Sequence, residues 1–183
     1  MIDLRIEAGV SPGDSPSFQK AMGALYNLGY TLKFMSKQRQ QDPIDYTVMA
    51  LEGLWWTESG EFDWNRREAW LCTLMMMQPE HITAEMYAQA HQQARQKQMK
   101  KGEDTSALER ARFERFCEGL SIQIMHVGPY AEEPRTVERM MAFCQENGYV
   151  RRGKHHEIYL GDPRRTQPER LRTILRQPVS LAG

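Results

Sequence analysis

The chain has 183 residues, with 24 Lys+Arg against 24 Asp+Glu, and is 40% apolar and 26% charged. Such a composition can bury a core, and zero net charge argues against sequence-independent binding to a phosphate backbone. No apolar run approaches the roughly 18 residues of a membrane span and no signal peptide opens the chain, so a cytoplasmic protein without direct nucleic-acid or membrane contact is expected.

In chain order, the alternation of residues 3–9 predicts a short strand, followed by the turn-rich SPGDSP. Ser15 and Pro16 supply an N-cap and a first-turn proline for a helix that buries Phe18, Met22, Leu25 and Tyr26 and ends near Gly29. Strands are expected at 46–56 and 70–77, the second stopped by Gln78–Pro79. Polar helices follow, from Thr83 to about Lys100 and from Thr105 to about Cys117. The second half reads as a strand at 120–127, the turn Gly128–Pro129–Tyr130, and a helix from near Pro134 to Asn147–Gly148. A strand at 155–160, the turn Asp162–Pro163, a short helix at Thr166–Pro168 and a last strand, RTILRQPV, complete it. Cys72, Cys117 and Cys144 are odd in number and far apart, which reads as reduced thiols rather than a disulfide framework.

The two halves repeat the same order of signals. Each has a strand, a Gly/Pro turn, a helix ending in Gly-Tyr (29–30 and 148–149), a strand carrying a glutamate (Glu52 and Glu157) and a strand ending in Gln-Pro (78–79 and 177–178). The fold class implied is α+β: duplicated β-α-β-β units forming an antiparallel sheet, with helices on one side and a pseudo-two-fold ligand groove. Residues 1–82 are the first unit, 83–118 a helical connector and 119–183 the second unit of one domain. The groove is expected on the face without helices.

In HHEIYL, alternation puts His155, Glu157 and Tyr159 on one face and His156, Ile158 and Leu160 on the other. If the apolar set faces the helices, Glu157 lies among aromatics in the groove, where desolvation would raise its pKa and suit it to act as a base or a cation partner. Glu52 holds the matching place in the first half, so paired carboxylates about the pseudo-axis are a further possibility, beside plain edge bridging. Trp55 and Trp56 must point to opposite faces, one to the core and one to solvent or groove, and a wall of Trp and Tyr suits a flat aromatic ligand. The histidines lack metal-ligand spacing, and no nucleotide loop, nucleophile elbow or helix-turn-helix occurs, so neither metal nor cofactor is expected.

The segments EGLWW (52–56), QIMHVGPY (123–130) and HHEIYLGDPRRTQPERLRTILRQPV (155–179) closely resemble stand-alone GyrI-like small-molecule-binding proteins. The resemblance spans essentially the whole chain and implies the duplicated fold. It also implies a role for Glu157, which stands where drug-responsive relatives place a glutamate against cationic aromatic drugs. Similar stand-alone members hydrolyse cyclopropane-bearing DNA-alkylating compounds, which implies a detoxifying hydrolase. In that reading Glu157 activates water, Tyr130 or Tyr159 hydrogen-bonds a conjugated carbonyl, and Trp55 or Trp56, Glu52 and His155 contact the ligand. The alternative is a pocket that binds or sequesters flat hydrophobic or cationic aromatics without converting them. The sequence specifies neither the natural ligand nor the oligomeric state.

Overall fold

A computed structural model describes residues 2–10, 15–58 and 69–182. Its strands are β1 (Ile2–Val10), β2 (Leu51–Trp56), β3 (Leu71–Gln78), β4 (Arg112–Arg115), β5 (Ser121–Val127), β6 (Tyr149–Arg151), β7 (His155–Tyr159) and β8 (Arg172–Leu181). The helices are α1 (Pro16–Gln38), α2 (Ala84–Lys100), α3 (Ser106–Glu109) and α4 (Glu133–Glu146). Strand order is β4-β1-β3-β2-β7-β8-β5, with β6 pairing β8 off this path, and every pairing is antiparallel. The halves, β1-β3-β2 and β7-β8-β5, therefore meet about a pseudo-two-fold between β2 and β7.

The faces follow from register. Leu4 and Ile6 of β1 lie opposite Met76 and Leu74 of β3, and all four pack with Phe18, Ala21, Leu25, Leu28 and Leu32 of α1. Complete burial of Leu25, Leu28 and Leu32 contributes roughly 1.5–3 kcal/mol per side chain. Val137 and Met140 of α4 pack on Leu175 of β8, with Ile122 and Ile124 of β5 beside them. Leu175 lies opposite Glu157, and Glu157 opposite Gly53, whose β2 neighbour Trp55 stacks on Phe18. Both helices therefore cover the same face, α1 over β1 and β3 and α4 over β5, flanking the central strands β2 and β7.

Ser15 caps α1 as expected, its Oγ accepting from the Phe18 amide at 3.2 Å. The helix does not stop at Gly29, however. A Cβ there would lie 2.7 Å from Met76 Sδ and 3.4 Å from a Val48 methyl, so this glycine permits close helix–sheet approach instead of ending the helix. Its counterpart Gly148, at φ +66°, does follow the end of α4. Residues 46–50 are not strand, and β2 begins at Leu51.

The expected second connector helix is corrected to the single turn of α3 followed by β4. There Phe113 lies opposite Leu4 and stacks on Tyr87 at 5.2 Å, while Arg112 and Glu114 project from the other face. That alternation, RFER, extends the sheet beyond β1. Among the described residues, no helix is long and apolar enough to cross a membrane.

Candidate functional site

β7 presents one set of side chains to each face of the sheet; His155, His156 and Glu157 are buried, and Ile158 and Tyr159 half-buried. His155, Glu157 and Tyr159 lie opposite Trp55, Gly53 and Leu51, on the helix-bearing face. His156 and Ile158 lie opposite Leu54 and Glu52, on the other. The expected placement of His155, Glu157 and Tyr159 on the helix-free face is thus corrected: they lie on the face that α1 and α4 cover. The expectation went wrong at His156, which takes a fully buried position on the helix-free side because two carboxylates meet it there.

On the helix-bearing face a chain of hydrogen bonds fixes the carboxylate. Trp55 Nε1–H donates to Tyr159 Oη at 3.0 Å, and Tyr159 donates its own hydrogen to Glu157 Oε2 at 2.7 Å. The second carboxylate oxygen, Oε1, lies 3.5 Å from His155 Nε2. The Tyr130 ring meets Tyr159 edge-on at 6.0 Å, and Phe18 and Trp70 flank Trp55 at 6.1 and 5.8 Å. Burial, followed by the Glu157 charge, holds the Tyr159 phenol well above its usual pKa. Tyr130 is pushed up to about 12 by burial, with Glu133, Glu157 and Asp162 adding to it. Both phenols are therefore hydrogen-bond donors at neutral pH, not bases. The Tyr159 hydrogen is already given to Glu157, whereas the Tyr130 hydroxyl makes no hydrogen bond among the described residues.

Gly53 was not singled out from the sequence, although it sits in EGLWW two residues before Trp55. A Cβ at Gly53 would lie 2.7 Å from Trp55 Nε1 and 3.1 Å from the Tyr159 hydroxyl, directly in the path of the relay. Gly53→Ala is expected to break the Trp55–Tyr159 bond, observed as a shifted indole N–H resonance of Trp55 and weaker ligand binding. An unchanged resonance would mean that the relay accommodates the methyl group.

Glu52 and Trp56 do not join this set. Glu52 projects from the opposite face, where its Oε2 lies 2.8 Å from His156 Nε2. His156 Nδ1 lies 3.0 Å from Glu118 Oε1, and Arg176 Nη1 is 3.3 Å from Glu118 Oε2. The proposed pairing of Glu52 with Glu157 about the pseudo-axis is therefore corrected, since the sheet separates them and Gly53 is what faces Glu157. Burial alone would push the His156 pKa down, but the hydrogen bonds to Glu118 and Glu52 outweigh it and raise it to about 9. Trp56 also lies on this face, with the Lys154 ammonium 3.1 Å from its ring centroid. His126, 4% exposed, is held by Thr136 Oγ1 and the Pro129 carbonyl, as a turn-bonded core histidine.

Asp3 lies on the helix-free face near this cluster and is 1% exposed; its Oδ2 has no hydrogen-bond partner among the described residues. Burial, reinforced by Glu52, raises its pKa to about 6. A carboxyl raised in the fold stabilises most at low pH, and that contribution is lost as pH rises from the unfolded value near 4 through 6. Asp3→Asn is therefore expected to stabilise the protein by roughly 1–3 kcal/mol at pH 8 and to change little at pH 4, as read from urea unfolding. A destabilised variant at pH 8 would contradict this. Among the described residues no group of three or more His, Cys, Asp and Glu side chains is arranged to hold a metal ion.

Residues 77–180 match the GyrI-like small molecule binding domain, more than half of the chain. The chain belongs to this family. An uncharacterized conserved protein from Listeria innocua is 43% identical, with 98% of this chain and 88% of that one covered and a TM-score of 0.86. A second solved structure, of a hydrolase from Listeria innocua, is 39% identical over 98% of this GyrI-like chain and 87% of its own, with a TM-score of 0.81. The EcmrR C-terminal domain, 13% identical over 99% of this chain and 92% of that domain, has a TM-score of 0.58 and shares the fold alone. No curated protein matches the chain. The duplicated α+β fold and small-molecule binding are thus properties of the family to which this chain belongs.

Proposed function

We propose that this GyrI-like protein binds flat aromatic compounds between α1 and α4 and adds water across a strained cyclopropane in them. The observation that carries this reading is the carboxylate of Glu157, 4% exposed, anchored through one oxygen by Tyr159 and surrounded by Tyr130, Trp55 and His155. Glu157 takes a proton from the attacking water as its oxygen bonds to the cyclopropane methylene. The ring C–C bond breaks, its electron pair moves into the conjugated carbonyl, and Tyr130 donates a hydrogen bond to the oxygen where negative charge develops. The proton on Glu157 then returns to that oxygen, so the net change is one added water. Ring strain supplies much of the driving force. The Listeria innocua hydrolase at 39% identity supports hydrolytic chemistry on this scaffold.

A second reading, sequestration without turnover, is favoured by one feature: Glu157 Oε2 is already occupied by Tyr159. Incubation with a cyclopropane-bearing aromatic alkylator, followed by mass spectrometry, separates the two. Many equivalents of a product one water heavier support the hydrolase, and intact compound in a stoichiometric complex supports sequestration.

A further inference from the structure

The two ends of the sheet are built differently. At one end, β4 is four residues long and carries Arg112, Glu114 and Arg115, charges that discourage a further strand. At the other, β5 runs seven residues, SIQIMHV, with no Lys, Arg, Asp, Glu or Pro. The Val179 amide donates to the Leu120 carbonyl, and the Gly128 amide to the Leu171 carbonyl. With the register of β5 on β8, this alternation turns the backbone groups of Ile122, Ile124 and His126 toward β8. Those of Ser121, Gln123, Met125 and Val127 point outward, and among the described residues no strand pairs with them.

Apolar surface surrounds this open edge. Met125 and Val127 are exposed on the helix-free face, and Phe143 of α4 is exposed above the other. Between α4 and β5 runs a groove of about 370 Å³, lined by Ile122, Ile124, Met140 and Phe143 with Gln123 and Arg139. A neutral, proline-free strand edge bordered by apolar side chains is a template for strand addition.

We propose that β5 pairs antiparallel with β5 of a second copy, joining two sheets into one. In a register centred on Ile124, Gln123 of one copy faces Met125 of the other and Ser121 faces Val127, so every outward backbone group finds a partner and no like charges meet. The two-fold axis stands normal to the sheet. Both α4 helices then lie on one face, and their Phe143 side chains close a shared apolar trough. β4, four residues against seven and carrying Arg112, Glu114 and Arg115, offers a shorter and charged edge.

Light scattering on the eluting protein across the micromolar range tests this, alongside hydrogen exchange. The expected result is twice the chain mass, with the amides of Ser121, Gln123, Met125 and Val127 becoming protected as concentration rises. Gln123→Lys combined with Met125→Lys sets like charges opposite each other and should weaken association at least tenfold. Gln123→Lys combined with Met125→Glu sets opposite charges there and should restore it, which also shows that substitutions at these exposed positions leave the fold intact. A monomer at every concentration would overturn the proposal, and so would a dimer indifferent to the paired lysines.

Discussion

Glu157→Gln is expected to bind ligand about as tightly as the native protein while losing roughly 10²–10⁴-fold in turnover, the usual contribution of a positioned general base. The amide keeps the shape of the carboxylate and still accepts from Tyr159, 2.7 Å away in the native arrangement. What it loses is the capacity to take a proton from water. The separation of binding from rate is the informative part. Parallel losses in both would indicate that Glu157 holds the ligand instead of acting on it. Turnover within a few-fold of native would remove Glu157 from the mechanism.

The largest effect on stability is expected at His156. It is fully buried between Glu52 and Glu118, and its removal leaves two carboxylates without their shared cation. Breaking a buried ion pair from one side costs about 3–5 kcal/mol, so His156→Ala should lower the urea midpoint sharply. The pH dependence gives an independent reading. A histidine raised from 6.5 to about 9 contributes stability fully below its unfolded pKa, and loses it as pH rises through 9. The difference, 9 − 6.5 = 2.5 pK units, corresponds to roughly 3 kcal/mol. Native protein should therefore weaken between about pH 6.5 and 9, whereas His156→Gln should be weaker at pH 6 and nearly flat over that window. A native curve without slope there would mean that His156 is not held as the cation.

Much of the architecture was legible because its signals are local. Ser15–Pro16 starts α1, Gly148 ends α4, and the alternation in HHEIYL assigns His155, Glu157 and Tyr159 to one face. The repeat of Glu-bearing strands located β2 and β7, which the sheet brings side by side. What the sequence could not reveal depended on partners distant along the chain. Gly29 reads as a helix stop unless Met76 is known to press against it. The side of the sheet that His156 faces is decided by Glu52 and Glu118, residues 104 and 38 positions away. Alternation fixes which residues share a face, not which face receives the helices, and that one choice moved Glu157 from one side of the sheet to the other. β4 carries no local strand signal because its four residues pair with the edge of β1, more than a hundred positions earlier.

The working face proposed for this GyrI-like domain is the one carrying α1 and α4. A crystal structure of Glu157→Gln with a cyclopropane-bearing aromatic compound tests it most directly, since binding without turnover keeps the compound intact. The ligand is expected between α1 and α4, with its reactive ring beside residue 157 and its carbonyl within hydrogen-bond distance of Tyr130. Density against Trp56 and Glu52 on the opposite face, with the helix-bearing floor empty, would contradict it.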